Sequence, residues 1–256
     1  MILDTIVKRK KEEVQKLLAQ GWEKPEQEIS GPRGFREAIL AYDGVAIIAE
    51  AKKASPSKGV ICVDFDPVQI ALDYQAGGAQ AMSVLTDEDF FQGKLAYLPL
   101  VRAAVDLPVI RKDFLIHECQ IQQAADFGAD AVLLIAAILD PVQLGDYFQM
   151  ARELGMDVLM EVHDEAEAEA ALKAQADLIG INNRNLNNFE VDLETTFRVM
   201  RLLPAGIPVV SESGIKDRDD ILRLGAHGVC AALIGETLMR NGSRAAGLRE
   251  LLGATG

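Results

Sequence analysis

The 256-residue chain carries 39 acidic against 26 basic side chains, a formal net charge of −13, with 49% apolar and 25% charged residues. So acidic a chain argues against general binding to nucleic acid or anionic membranes, which need basic surfaces, but not against a small anion held in a locally positive pocket. The length buries a substantial core, the composition is that of an ordinary soluble protein, and no apolar run reaches the roughly 20 residues of a membrane span.

Taken in chain order, the first segment predicts a helix. Leu3, Ile6, Val7, Val14, Leu17 and Leu18 share one face, Lys8, Lys11, Glu12 and Glu13 lie elsewhere, and Gly21 ends it. The stretch MILDTIVKRKKEEVQ puts charges where a signal peptide needs an apolar centre. A Pro/Gly-containing connector leads to a short helical piece around 35–41. From residue 45 onward apolar, β-branched runs recur at 45–51, 81–86, 108–113, 131–136, 157–162, 178–183, 207–213 and 229–235. Between them lie helical signals: Asp66 before Pro67, Asp140 before Pro141, and Asp164 with Glu167 three residues on, a capping-box variant. Gly78-Ala79, Gly128-Ala129 and Gly225-Ala226 mark helix exits ahead of strands. Eight apolar strands alternating with helices predict an α/β fold, a (β/α)8 TIM barrel over 44–256 with an N-terminal helical extension over 1–43, as one domain. An open doubly wound sheet is the alternative, but no GxGxxG follows the first strand.

In a barrel the inward side chains alternate along each strand, and the site lies at the strands' C-terminal ends. Those ends carry Glu50 and Lys52, Lys112, Glu161, Asn182 and Glu212, while the upstream halves of the same strands are almost wholly apolar. One charged strand end is often the start of a solvated loop; six at equivalent places point to a site. Lysines buried beside carboxylates serve either as structural ion pairs or as proton-transfer groups with shifted pKa, and the sequence leaves both open. SESGI (211–215) and IGETLMR (234–240) follow strands 7 and 8, where Gly214 and Gly235 let backbone N–H groups approach a phosphate; as plain turn glycines they would mean less. Lys52 or Ser55 completes such a cradle from strand 1, strand 8's neighbour in a closed barrel.

Cys62, Cys119 and Cys230 are widely spaced and in no CxxC pair, which fits a reducing, cytoplasmic compartment; His117, His163 and His227 lack metal-ligand spacing. His163 reads as a loop residue. Phe90, Phe91 and Phe114 either line an aromatic pocket or pack loops. The Asn-rich stretch 182–188 suits turns and left-handed backbone.

Taken in order, IIAEAKKASPSKG, SVLTDEDFFQG, VIRKDF, LLIAAIL, MEVHDE, IGINNRNL, SESGI and LIGETLMR closely resemble indole-3-glycerol-phosphate synthase, from about residue 30 to 241, with the N-terminal helix similar to that family's extra lid region. The resemblance implies ring closure, decarboxylation and dehydration of 1-(2-carboxyphenylamino)-1-deoxyribulose 5-phosphate in tryptophan biosynthesis, without cofactor or metal. It implies Lys112 as general acid, Glu161 as acid/base of the second half and Lys52 as a second acid, with Glu50 and Asn182 orienting and Glu212 and Ser213 at the mouth. It places the phosphate at Ser55, Gly214, Gly235 and Glu236, and the anthranilate end at Arg184 and Phe114 with Phe91 as a loop contact. The partners it implies are a phosphorylated small molecule, no nucleic acid and no membrane. The chain itself is expected as a monomer or weak homo-oligomer, with other tryptophan-pathway enzymes as candidate partners. Cys62, where the family often has Arg, and Asp89, where Lys is frequent, depart from its pattern. Three other readings stay open: a sugar-phosphate isomerase on a related Amadori compound, a Schiff-base aldolase using Lys112 or Lys52, and a non-catalytic barrel that senses a phosphorylated metabolite.

Overall fold

A computed structural model describes residues 2–26, 29–186 and 188–254. Eight parallel strands close into a barrel: β1 (Ala46–Ala51), β2 (Ala81–Leu85), β3 (Val109–Lys112), β4 (Ala131–Ile135), β5 (Asp157–Val162), β6 (Ile179–Asn182), β7 (Val209–Glu212) and β8 (Ala231–Ile234). β1 pairs with β2 on one side and with β8 on the other, so no edge is left unpaired. All eight fall inside the runs read from the sequence, shortened by up to three residues where backbone leaves the ladder. At the end of β4, for instance, Ala136–Ile138 turns into a 3₁₀ helix.

Between the strands lie α3 (Pro67–Gly77), α4 (Tyr97–Ala104), α5 (Glu118–Asp126), α6 (Pro141–Glu153), α7 (Glu165–Lys173), α8 (Glu194–Met200) and α9 (Arg218–Ala226), with α10 (Glu236–Arg240) and α11 (Arg244–Leu252) closing the chain; α1 (Ile2–Gln20) and α2 (Phe35–Leu40) precede the barrel. Asp66 and Asp140 each accept two backbone N–H groups at the starts of α3 and α6, as their Asp-Pro signals predict. Asp164 caps α7 as expected, but Glu167 turns to His163 rather than to the Asp164 backbone. Gly78 and Gly128 supply left-handed exits. Gly225 does not: it stays within α9, and Gly228 takes the left-handed turn.

The apolar residues form two layers. Ile47, Ala49, Val84, Val132, Val158, Met160, Ile181 and Val209 face outward and pack against the helices. Ile48, Ile110, Leu133, Leu159, Val210 and Leu233 fill the interior. The N-terminal ends of four strands contribute only alanine inside (Ala46, Ala81, Ala131, Ala231), and the room this leaves is taken by Phe35 and Ile39 of α2. Asp130 and Asp157, beside the same barrel end, accept the backbone N–H groups of Arg33 and Arg36 and so fasten α2 there.

α1 departs from its expected face. Ile6, Lys10 and Val14 are its buried residues, while Leu18 is exposed. Lys10 is only 2% exposed and reaches Asp87 and Asp113, each at 2.9 Å, behind β2 and β3. Among the described residues no helix is long and apolar enough to cross a membrane.

Candidate active site

The pleat of each strand decides which side chains reach the mouth. Along β1, Ala46 and Ile48 are interior and Ile47, Ala49 and Ala51 exterior, so Glu50 and then Lys52 continue the inward series. The same alternation sends Lys112 inward and Arg111 outward on β3, where Arg111 bonds Thr86, Gln120, Gln123 and Asp113 behind the sheet. Glu50, Lys52, Lys112, Glu161, Asn182 and Glu212 thus line one cavity of about 800 Å³ at the C-terminal end of the barrel.

The charges inside it are interlocked. Lys112 Nζ lies 3.3 Å from Glu161 Oε2 and 3.4 Å from Glu212 Oε2; Lys52 Nζ lies 2.5 Å from Glu50 Oε1. Asn182 Nδ2 donates to Glu161 Oε1 at 3.1 Å, and its own Oδ1 accepts the Arg184 backbone N–H. Glu50 is anchored through its carbonyl, which accepts the buried Tyr74 hydroxyl at 2.9 Å. Gly180 of β6 leaves room for this arrangement, since a Cβ there would stand 2.2 Å from Glu212 Oε1.

Burial alone would strip the proton from Lys112, but Glu161, Glu212 and Glu50 outweigh it and hold the ammonium well above the usual lysine range. The carboxylates divide. Burial works against the charge of Glu161, yet Lys112 and His163 keep it well below the usual range. Glu50 is likewise held low by Lys52 and Lys112 against its burial. Glu212 goes the other way: burial, with Glu161 and Glu50 adding to it against Lys112, pushes it up to about 8. One mouth therefore holds two carboxylates held low, one pushed up, and two lysines.

At the other side of the cavity, Ser213 and Gly214 take left-handed backbone in succession after β7 (φ 66° and 88°), and Gly235 leads into α10 after β8. Thr237 Oγ1 donates to the Ile215 carbonyl at 2.7 Å and ties the two loops together. Lys58, Lys216 and Arg240 line the same end, so an acidic protein holds a locally basic pocket. The Glu236 side chain is taken up by Arg240 and Lys58, at 3.1 and 3.7 Å, so an anion would meet its backbone. Phe91 and Phe114, with ring centres 6.0 Å apart, and Arg184 line the rest.

Of the site residues that the resemblance implies, Ser55 alone is not in the lining. It sits in a two-stranded hairpin (Ala54–Ser55 with Gly59–Val60), its hydroxyl 3.5 Å from Ser57, and Pro56, Ser57 and Lys58 face the cavity. Phe90 and Lys53 also stay out of it. His163 is no free loop residue: it is wedged between Glu161 and Glu167. The Asn-rich loop behaves differently from its composition. Asn183 is buried and bonds Ser211, Thr196 and the carbonyls of Glu212 and Ser213, the left-handed residue is Phe189, and Asn187 lies outside the described residues. The two departures from the family pattern are occupied. Cys62 Sγ accepts from Arg244 at 3.8 Å, and Asp89 pairs with Arg9 of α1. Lys10, Ser57, Lys58, Lys216 and Arg240 were missed in the sequence. For Lys10 a signal existed, because it stands four residues from both Ile6 and Val14 in the middle of the buried stripe.

Comparison with known proteins agrees with this geometry. An 11% identical structure of KGPDC from Streptococcus mutans superposes with a TM-score of 0.64 over 82% of this chain and 97% of that one, which speaks to the barrel alone. The indole-3-glycerol phosphate synthase of Desulfotalea psychrophila is 60% identical over 98% of both chains. That of Chlorobium phaeovibrioides is 49% identical over 92% of this chain and 93% of its own. The family model for indole-3-glycerol phosphate synthase matches residues 3–251, and the chain belongs to that family.

Proposed function

We propose that Lys112, Glu161 and Lys52 carry the proton transfers by which this carboxy-lyase of tryptophan biosynthesis turns 1-(2-carboxyphenylamino)-1-deoxyribulose 5-phosphate into indole-3-glycerol phosphate, carbon dioxide and water. The observation that carries this reading is the Lys112 amine set inside the cavity between Glu161 Oε2 at 3.3 Å and Glu212 Oε2 at 3.4 Å.

The ring carbon bearing the carboxylate attacks the substrate ketone, and negative charge gathers on the ketone oxygen. That oxygen becomes more basic than an amine as the bond forms, so Lys112 gives up its proton even though its neighbours hold it tightly. Carbon dioxide then leaves. With Lys112 neutral, Glu161 has lost its strongest stabilising charge and becomes the better base when a ring proton has to be removed. Lys52 donates to the departing hydroxyl, which leaves as water, while Glu50 orients Lys52 and Asn182 orients Glu161. Glu212 and Ser213 line the reacting end. Backbone N–H groups of Gly214, Gly235 and Glu236, with the Ser55–Ser57 hairpin, take the phosphate, and Arg184, Phe114 and Phe91 take the anthranilate end.

A Schiff-base mechanism needs a neutral amine; the carboxylates around Lys112 hold its ammonium, which disfavours that lysine as the nucleophile. We read the whole chain, 1–256, as one working unit in which the 1–43 extension buttresses the barrel through Lys10. We read the chain as a monomer or weak homo-oligomer, and three free cysteines suit the cytoplasm.

The purified protein with the carboxyphenylamino substrate, and no added metal or nucleotide, is expected to form an indole product visible by fluorescence. Glu161→Gln is expected to lower kcat by about 10² to 10⁴-fold with the fold intact by circular dichroism. No indole from wild type would end the reading, and near-normal turnover in the variant would remove Glu161 from its role. Gly235→Ala tests the packing of the second pair. The new Cβ would lie 2.4 Å from Glu50 Oε1 and 3.1 Å from Lys52 Nζ. Displacing that pair is expected to cost about 10²-fold in kcat/KM with little change in melting temperature. Unchanged kinetics would show that the pair needs no such tight packing.

A further inference from the structure

His163 lies two residues beyond Glu161, as Lys52 lies two beyond Glu50, so β5 repeats the device of β1: a carboxylate and a base on one face at the strand's end. Its surroundings are built. His163 Nε2 stands 3.3 Å from Glu161 Oε1, a charge contact without hydrogen-bond alignment, at the oxygen that accepts from Asn182, while Lys112 holds the other oxygen, Oε2. On its far side His163 Nδ1 is 2.9 Å from Glu167 Oε2, and the same oxygen accepts the His163 backbone N–H at 2.8 Å. Glu167 therefore gives up the ordinary capping-box partner of its helix to grip the histidine from two sides.

We infer that His163 is a positioning residue for the reaction: an imidazolium gripped by Glu167 and set against Glu161, it keeps Glu161 ionised and so available as the base. This rests on the reading of Lys112 and Glu161 given above. Without a positive charge at Oε1, Glu161 would take up a proton at higher pH, and the carboxylate needed as base would be lost sooner on the acid side. The charged groups that bear on the arrangement are Glu161 and Glu167 around the imidazole, Lys112 of β3 against Glu161, and Glu50 of β1 and Glu212 of β7, whose negative fields reach Glu161. Burial alone would neutralise His163, but Glu161 and Glu167 outweigh it and carry it up to about 10.

The test is a pair of pH titrations. In ¹⁵N-labelled wild-type enzyme both His163 ring nitrogens are expected to stay protonated from about pH 6 to 9, and in Glu167→Gln, which removes the gripping charge, the ring is expected to titrate lower. In His163→Asn the acid limb of kcat is expected to move up by about one to three pH units, the effect of removing an opposite charge at this distance. On the plateau above that limb, KM should stay within about twofold, which loss of packing alone would not produce. A wild-type His163 that titrates near the ordinary value of about 6.5, or a folded His163→Asn whose acid limb has not moved, overturns the inference. The two layers fail separately. Ordinary turnover in Glu161→Gln would remove the catalytic reading and with it the purpose assigned to His163. A neutral His163 in an enzyme that still needs Glu161 would sink this inference alone.

Discussion

Lys112→Ala is expected to lower kcat by about 10² to 10⁴-fold while the substrate still binds, because in the proposed reaction the group lost is the proton donor for ring closure rather than a handle on the phosphate or the anthranilate. Lys112→Arg should be nearly as poor. It keeps the charge between Glu161 and Glu212, but a guanidinium does not release its proton at any working pH. The comparison separates charge from proton transfer: an active Arg variant would mean that Lys112 only stabilises charge, and borohydride trapping of substrate on the wild-type lysine would mean a Schiff base instead. The Ala variant should also reveal the lysine's structural cost. Its removal leaves Glu161, Glu212 and Glu50 crowded without their common cation, so carboxyl pKa values in the folded state rise above their unfolded values. Stability is then present at acid pH and lost as the pH rises through those raised values. Thermal melts of the variant should therefore fall further below wild type at neutral pH than near pH 5.

The second large effect lies outside the cavity. Lys10→Met is expected to destabilise the protein by about 3 to 5 kcal/mol, the usual cost of removing one partner from a buried ion pair. Asp87 and Asp113 would lose the ammonium that stands 2.9 Å from each, and Asp113 would keep Arg111 at 3.1 Å. In a chain of this size that is a fall in melting temperature of about 10 °C. The pH dependence follows from two shifts. Burial opposes the charge of Lys10, but Asp113 and Asp87 raise it above its ordinary range, so its contribution is present below the unfolded lysine value and lost as pH climbs through the folded one. Asp113, buried but held low by Lys10 and Arg111, contributes above the unfolded aspartate value and loses that contribution as pH falls. The gap between variant and wild type should thus be widest between about pH 4 and 10 and close toward acid. A variant melting within about 2 °C of wild type at pH 7 would show the triad to be neutral for stability.

The barrel was legible because its signal is repeated eight times, and a local error in one unit does not change the period. The errors that occurred have local causes. Gly225 sits in the right dipeptide, but the chain runs on for two residues before turning at Gly228. Leu18 lies on the apolar stripe of α1 yet beyond the point where the helix leaves the barrel's side. The strand-end charges were legible because a polar residue inside an apolar strand is costly unless it has work to do. Lys10 was hidden for the opposite reason: Asp87 and Asp113 reach it only when the chain has closed, and no short window of sequence holds both ends of such a pair. His163 stands close to both its partners in the sequence, but nothing there shows that Glu161 and Glu167 both turn toward it. The cavity faces of Ser57, Lys58 and Lys216 depend on how loops fold back, which periodicity does not describe.

The plug of Phe35 and Ile39 has a consequence for where protons go. Alanines and α2 fill one end of the barrel, and the cavity with Lys112 and Glu161 lies at the other. In the proposed reaction the substrate would seat itself in that mouth. Once it is seated, the groups beneath it would trade protons with their guest and with each other before bulk solvent. The hydrogen that Lys112 is proposed to hand over at ring closure and the one that Glu161 is proposed to collect afterwards would then belong to one small stock, refilled when product departs.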